Sequence, residues 1–83
     1  MSKSFPEYYS RRVFSFHMNL KRIRIERGYT QETFAEKAGI SVNYLAQLES
    51  RKSTAMPSDH MLCWLAHCLD VEPERLTDID EVL

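Results

Sequence analysis

The sequence predicts an all-α domain built from five helices. Apolar residues recur at spacings of three and four in successive segments, which is the period of one helix face. Glycine, proline and residues suited to helix capping separate these segments. With 83 residues, the chain has the size of one domain with a single modest core, so we expect a compact five-helix unit over residues 1–83.

The composition is typical of a soluble globular protein, with 43% hydrophobic and 28% charged residues. No apolar run approaches the roughly 20 residues needed to span a bilayer, and the chain starts without an apolar signal region. Cys63 and Cys68 point in different directions on one predicted helix, so both are predicted to be free thiols. We therefore expect a cytoplasmic protein with no membrane partner.

The net charge of −1 conceals a gradient along the chain. Residues 1–27 carry seven Lys and Arg against two acids, a net charge of +5, whereas residues 53–83 carry seven acids against Arg75, a net charge of −6. Phosphate binding needs only a local basic face, because salt screens charges beyond about 8 to 10 Å. The first third is therefore a candidate nucleic-acid surface, and the acidic end is interpreted as solvated.

The first helix is predicted to begin at Ser10, as its cap, and to end at Gly28. Its core stripe consists of Val13, Phe16, Leu20 and Ile23. Residues 1–9 have no clear period. They form either a loose N-terminal arm or a segment whose aromatic residues pack back on the body, namely Phe5, Tyr8 and Tyr9.

The second helix is predicted over residues 31–38. Thr30 precedes it and is suited to cap its free N–H groups. Its inner face consists of Phe34, Ala35 and Ala38. Gly39 follows where a helix commonly ends through the left-handed region, which a residue without Cβ adopts at little cost.

A third helix is predicted over residues 42–50, about three residues after the second ends. Ser41 is suited to cap it, and Leu45 and Leu48 recur three positions apart on its core side. Two short helices joined by so tight a turn form a helix-turn-helix.

The fourth helix is predicted to open at residues 57–59, which read Pro-Ser-Asp, and to end at Asp70. Its core stripe consists of Leu62, Leu65, Ala66 and Leu69. A short fifth helix is predicted around residues 73–75, with proline in its first turn. Residues 77–83 then form an acidic tail with interspersed apolar residues.

The spacing within the helix-turn-helix is specific. Counted from Gln31, a small residue is fifth, glycine is ninth, and leucines are fifteenth and eighteenth: Ala35, Gly39, Leu45 and Leu48. In these positions the segment resembles the helix-turn-helix of the lambda-repressor and Cro-like family of bacterial and phage DNA-binding proteins, over roughly Phe16 to Leu76. The sequence departs from the family pattern at Arg51, where glycine is common, and in the longer loop that follows.

The resemblance implies that the third helix is a recognition helix lying in the major groove, which admits one helix. The positions expected to contact bases are Val42, Asn43, Ala46 and Gln47. The side-chain amides of Asn43 and Gln47 match the N7 and N6 edge of adenine, and Val42 is suited to pack on a thymine methyl group.

The resemblance also implies phosphate contacts and one structural ion pair. Gln31 is expected to bind a phosphate together with the free N–H groups at the start of the second helix. The other candidates for phosphate contacts are Ser41, Tyr44, Ser50, Arg51, Lys52, Arg11 and Lys21. The arginine that the family pairs with a glutamate falls on Arg24, and the glutamate falls on Glu49, so this pair would fix the first helix against the third.

One recognition helix covers few base pairs, so proteins of this kind pair by twofold symmetry and bind half-sites about 34 Å apart. The expected dimer surface combines the fourth helix, the fifth helix and the tail, and includes Trp64, His67, Leu76, Ile79, Val82 and Leu83. Its negative charge would face away from DNA.

These features predict a nucleoid-associated transcriptional regulator, of repressor or controller type, that binds a double-stranded DNA operator as a homodimer. The small domain resembles phage repressors, Cro-like proteins and the controllers of restriction-modification operons, and the sequence does not separate these. The alternative is an antitoxin or other protein-interaction module that binds a partner through the tail, with secondary DNA binding.

Neither catalysis nor a cofactor is predicted. His60, Cys63 and His67 share one face of the fourth helix, with Cys68 adjacent, but structural zinc needs four ligands from separate segments. No Ser/His/Asp or Cys/His set has a separate fold element that would supply its orienting group. The chain has two glycines, too few for a glycine-rich phosphate loop. We therefore predict a protein that is not an enzyme and binds no metal.

Overall fold

A computed structural model describes the backbone of residues 5–53 and 56–78 and the side chains from residue 15 onward in those ranges. It contains five helices: α1 (Phe5–Glu26), α2 (Gln31–Ala38), α3 (Val42–Glu49), α4 (Asp59–Leu69) and α5 (Glu74–Thr77). The described residues include no strand. The all-α, five-helix prediction is confirmed.

The first helix begins earlier than predicted. Residues 5–9 are helical and extend α1, so Ser10 lies inside this helix instead of capping it. Pro6 is compatible with this start because a proline in the first helical turn removes an N–H that has no intrahelical partner in any case. Residues 1–4 lie outside the described residues, as do the side chains of Tyr8 and Tyr9.

Local capping fixes the bounds of α2. The Thr30 hydroxyl accepts a hydrogen bond from the Thr33 N–H at 3.0 Å, and the Thr33 hydroxyl accepts one from the Thr30 N–H at 2.9 Å. At the other end, Gly39 has φ of 73°, in the left-handed region, and its N–H bonds to the Glu36 carbonyl at 3.2 Å. The helix therefore starts and stops where the sequence predicted.

The turn between α2 and α3 is short and α3 starts with its own cap. The Ser41 hydroxyl accepts a hydrogen bond from the Tyr44 N–H at 3.0 Å. Ser50, predicted as the last helical residue, is instead the C-cap of α3, and its N–H bonds to the Gln47 carbonyl at 3.2 Å.

One core joins all five helices. The fully or almost fully buried apolar side chains include Phe16, Leu20, Ile23, Phe34, Ala35, Leu45, Leu48, Leu65, Ala66, Leu69 and Leu76. Leu62 of the predicted α4 stripe is only partly buried, and the side chain of Val13 lies outside the described residues. α5 packs mainly on α1, which places Leu76 in this core.

The burial of Leu76 corrects one expectation. Leu76 was expected on the dimer surface, but its side chain is 0% exposed in the single chain. It stabilises the fold by filling the space between α5 and α1 and is not available to a second subunit. Ile79, Val82 and Leu83 of the same expected surface lie outside the described residues.

The two cysteines are free thiols, as predicted. Cys63 is exposed on α4, whereas Cys68 is buried, and this burial raises the pKa of the Cys68 thiol. In the described part of the chain, no helix is long and apolar enough to cross a membrane.

Candidate nucleic-acid interface

The third helix has one buried and one open face. Leu45 and Leu48 are 0% exposed and hold α3 against the core. The four residues expected to contact bases lie on the remaining surface: Val42, Asn43 and Gln47 are exposed, and Ala46 is partly buried. The open face is therefore free of core contacts and of a size that a DNA major groove admits.

A buried ion pair fixes the end of α3 against α1. Arg24 Nε donates to Glu49 Oε2 at 2.6 Å, and Arg24 Nη2 donates to Glu49 Oε1 at 3.0 Å. A third guanidinium nitrogen, Nη1, donates to the Tyr29 carbonyl at 2.8 Å. Such a bidentate pair defines the relative orientation of two helices as well as their separation.

Glu49 also contacts the start of α2. Gln31 Nε2 donates to Glu49 Oε1 at 3.0 Å, so one carboxylate connects α1, α2 and α3. The amide nitrogen of Gln31 carries two hydrogens, and one of them bonds to Glu49. Gln31 is the first residue of α2, at the helix N-terminus, where free N–H groups favour an anion.

The residues expected to contact phosphates are distributed around α3. Ser41 caps α3, Tyr44 packs partly against the core, and the Ser50 hydroxyl accepts a hydrogen bond from the Lys52 N–H at 3.3 Å. Arg51 and Lys52 are exposed directly after α3. The side chain of Arg11 lies outside the described residues.

Lys21 lies close to the end of α3 in space. It lines, together with Arg51, an open cleft of about 430 Å³ whose other lining residues are Met18, Arg22, Ile25, Glu26 and Glu49. The fold therefore brings two basic residues of α1, Lys21 and Arg22, to the same cleft as Arg51, which follows α3.

Sequence reasoning missed His17. Its ring is 1% exposed on α1, with Nδ1 hydrogen-bonded to the Leu48 carbonyl and Nε2 2.8 Å from the Ser53 carbonyl. The only signal available was its position beside Phe16 and seven residues before Arg24, on the inward side of α1.

Asn19 is a second buried polar residue that was missed. It is 0% exposed, and its Nδ2 donates to the Asp78 carbonyl at 3.0 Å. This contact joins α1 to the residue that follows α5, so it supports the fold at a distance from the open face of α3.

Trp64 is partly exposed on α4. Its side chain is 43% exposed, its Nε1 donates to the Ala38 carbonyl at 2.9 Å, and its ring stacks on exposed His67 with centroids 5.6 Å apart. Within the described residues, no three His, Cys, Asp or Glu side chains lie together in a group able to hold a metal ion.

These features define the class of the protein as DNA-binding helix-turn-helix. The sequence pattern of the helix-turn-helix family matches residues 20–76, which is more than half of the chain. The chain therefore belongs to the Cro/C1-type, or lambda-repressor and Cro-like, helix-turn-helix family of DNA-binding regulators. No curated protein and no solved structure matches it in the comparisons made.

Proposed function

We propose that the chain represses or otherwise controls transcription by binding a double-stranded DNA operator as a homodimer through α3. The observation that carries this proposal is the open face of α3, whose orientation is defined by Leu45, Leu48 and the Arg24–Glu49 pair. A helix held in this way can present side chains to base edges without first being ordered by DNA.

In this proposal α3 contacts bases with four residues. Asn43 and Gln47 each present an amide donor and acceptor to an adenine, and exposed Val42 packs on a thymine methyl group. Ala46 is small enough to allow close approach to the groove floor. Each bidentate amide contact contributes about 1–3 kcal/mol of discrimination against a wrong base.

Phosphate contacts position α3 in the groove. The second N–H of Gln31 and the free N–H groups of α2 face one phosphate, while Arg51 and Lys52 face the backbone beyond α3. Lys21 extends this basic edge along α1. These contacts carry no base information, so they should strengthen binding to every sequence alike.

Two copies place two recognition helices about one DNA turn apart, roughly 34 Å. The exposed Trp64 and His67 pair is the described part of the proposed dimer surface, and the Trp64 side chain is 43% exposed and so accessible to a partner. An aromatic ring that is partly exposed and fixed by a hydrogen bond loses little conformational freedom on association.

The test is selection of binding sites from a random duplex pool at one fixed salt concentration. Wild type should enrich an inverted repeat, and Gln47→Ala should lose preference at one symmetric position. Lys52→Gln should weaken binding to all sequences and lower the slope of log affinity against log salt by about one. Glu72→Gln, an exposed change near α5, is the matched control and should leave the selected site unchanged.

Two outcomes would contradict the proposal. If no sequence is enriched, or if Gln47→Ala weakens binding equally at all sites, α3 does not contact bases and the operator-binding proposal is wrong. Sequence-blind binding would favour a protein-interaction module, in which residues 77–83 contact a partner protein.

A further inference from the structure

His17 contacts two backbone carbonyl groups with its two ring nitrogens. Nδ1 faces the carbonyl of Leu48 in the last turn of α3, and Nε2 faces the carbonyl of Ser53 in the following loop at 2.8 Å. Carbonyl oxygens only accept hydrogen bonds. Both ring nitrogens must therefore donate for both hydrogen bonds to exist.

Only the protonated ring can do this. A neutral imidazole carries one N–H and one lone pair, whereas imidazolium carries two N–H groups. In the neutral form one nitrogen lone pair would face a carbonyl oxygen at a site where the ring is 1% exposed, so water cannot easily replace the lost partner. The contacts of His17 thus depend on one proton.

Nδ1 of the ring lies at the C-terminal end of α3. The last four carbonyls of a helix lack intrahelical partners, and the Leu48 carbonyl is one of them. A positive charge at a helix C-terminus is also favoured by the helix dipole. His17 therefore satisfies α3 at the end where a cationic donor is most useful.

Several ionisable groups occupy the elements that pack on this part of α1. Glu49 of α3 is paired with Arg24, and the loop after α3 carries Arg51 and Lys52, while Lys21 lies one turn further along α1. The ionisable residues of α5 and its C-cap are Glu74, Arg75 and Asp78. The basic groups oppose a charged ring, whereas bound phosphates would offset them.

We propose that protonated His17 is a positioning residue for DNA binding, because it connects α3 to the loop that carries Arg51 and Lys52. The inference rests on the proposed function. Its carbonyl partners, Leu48 and Ser53, lie on either side of the two basic residues, so the protonated ring holds both ends of the short segment that carries them. By linkage, DNA binding then favours proton uptake, and lower pH favours DNA binding.

The first measurement uses the full chain without DNA. Nitrogen-detected NMR of the histidine rings between about pH 5 and 8, the range in which histidine charge changes, reports which ring nitrogens carry protons. We expect His17 to show two N–H protons that exchange slowly with water at low pH, while exposed His60 exchanges quickly. A His17 ring that keeps one proton throughout this range overturns the inference.

The second measurement uses a random-sequence duplex and the selected site at fixed salt. Wild-type affinity should fall about tenfold from the acid to the alkaline end of the histidine range, as expected for one charge-assisted hydrogen bond. His17→Gln should remove this dependence, and His60→Gln should keep it. Equal pH dependence in wild type and His17→Gln overturns the inference and leaves the proposed function intact.

Amide hydrogen exchange in wild type covers the case in which His17→Gln does not fold. Protection of the amides of residues 51–53 should decrease as pH rises, after correction for the intrinsic exchange rate, and protection within α2 should not. Constant protection of residues 51–53 overturns the inference. Absence of DNA binding at every pH overturns both the inference and the proposed function.

Discussion

At the scale of single residues, Glu49 of α3 is hydrogen-bonded to both α1 and α2. Its carboxylate accepts hydrogen bonds from Arg24 on α1 and Gln31 on α2, and it is 6% exposed. A carboxylate so buried requires these donors, because an unpaired buried charge is costly. Removing it would also leave the Arg24 guanidinium buried with the Tyr29 carbonyl as its one partner among the described residues.

Glu49→Gln should therefore lower the free energy of unfolding by about 3–5 kcal/mol, the range seen when one member of a buried pair is removed. Urea denaturation measures the change. The matched control is Glu26→Gln, which breaks the exposed Arg22–Glu26 pair at 2.9 Å and should cost less than about 1 kcal/mol.

Replacing both members of the buried pair tests whether the loss of stability comes from the unpaired charge. A double variant, Arg24→Met with Glu49→Met, leaves no unpaired charge and should lose less stability than the sum of the two single changes. Equal costs for Glu49→Gln and Glu26→Gln would show that the buried pair has no special role in stability.

At the scale of elements, the turn between α2 and α3 depends on one left-handed residue. Gly39 has φ of 73°, and a Cβ built there would meet nothing within 4 Å. Glycine is therefore preferred here because of the backbone conformation, and not because neighbouring atoms would crowd a side chain. Asp70 ends α4 in the same region with φ of 60°, which shows that the fold accepts a non-glycine residue at one such position.

Gly39→Ala should lower the free energy of unfolding by about 1–2 kcal/mol, the cost of a left-handed conformation for a residue with Cβ. Thermal unfolding followed by circular dichroism measures it. Asp70→Gly is the opposite change in the same conformation, and it also removes a negative charge from a helix C-terminus, so it should not destabilise the protein. If Gly39→Ala leaves the free energy of unfolding unchanged, this account of the turn is wrong.

At the scale of the whole molecule, charge and exposure divide the surface into two parts. Lys21, Arg51 and Lys52 lie near the end of α3, whereas Trp64 and His67 lie on α4, within the acidic part of the sequence. In the proposed homodimer, the first surface would face phosphates and the second would face the partner subunit. This division also explains how a protein with a net charge of −1 can bind DNA.

Trp64 is the single tryptophan, so its fluorescence reports on this second surface. If a dimer covers the ring, emission should shift to shorter wavelength as protein concentration rises, and Trp64→Ala should weaken association in sedimentation experiments by at least tenfold, as for an aromatic residue central to an interface.

Ile25 provides the control. It is 57% exposed, more than Trp64, but lies on α1 in the open cleft that Lys21 and Arg51 also line. Ile25→Gln should leave association unchanged. If both changes weaken association equally, or if the chain stays monomeric at all concentrations, Trp64 is not part of a specific dimer surface.

The sequence by itself determined the features that depend on neighbouring residues. The bounds of α2 follow from Thr30 and Gly39, the start of α3 follows from Ser41, and family spacing indicated the partner of Arg24. These signals are local or tied to a motif of fixed length, so they can be read without knowing the rest of the fold.

Only the tertiary structure decided the features that depend on distant partners. His17 meets residues more than thirty positions away, Asn19 meets Asp78, and α5 places Leu76 in the core instead of on the surface. A polar residue on a helix stripe or a leucine near an acidic tail has the same local pattern whether it is buried or exposed. Its role is fixed by which backbone groups and side chains the folded chain brings to it.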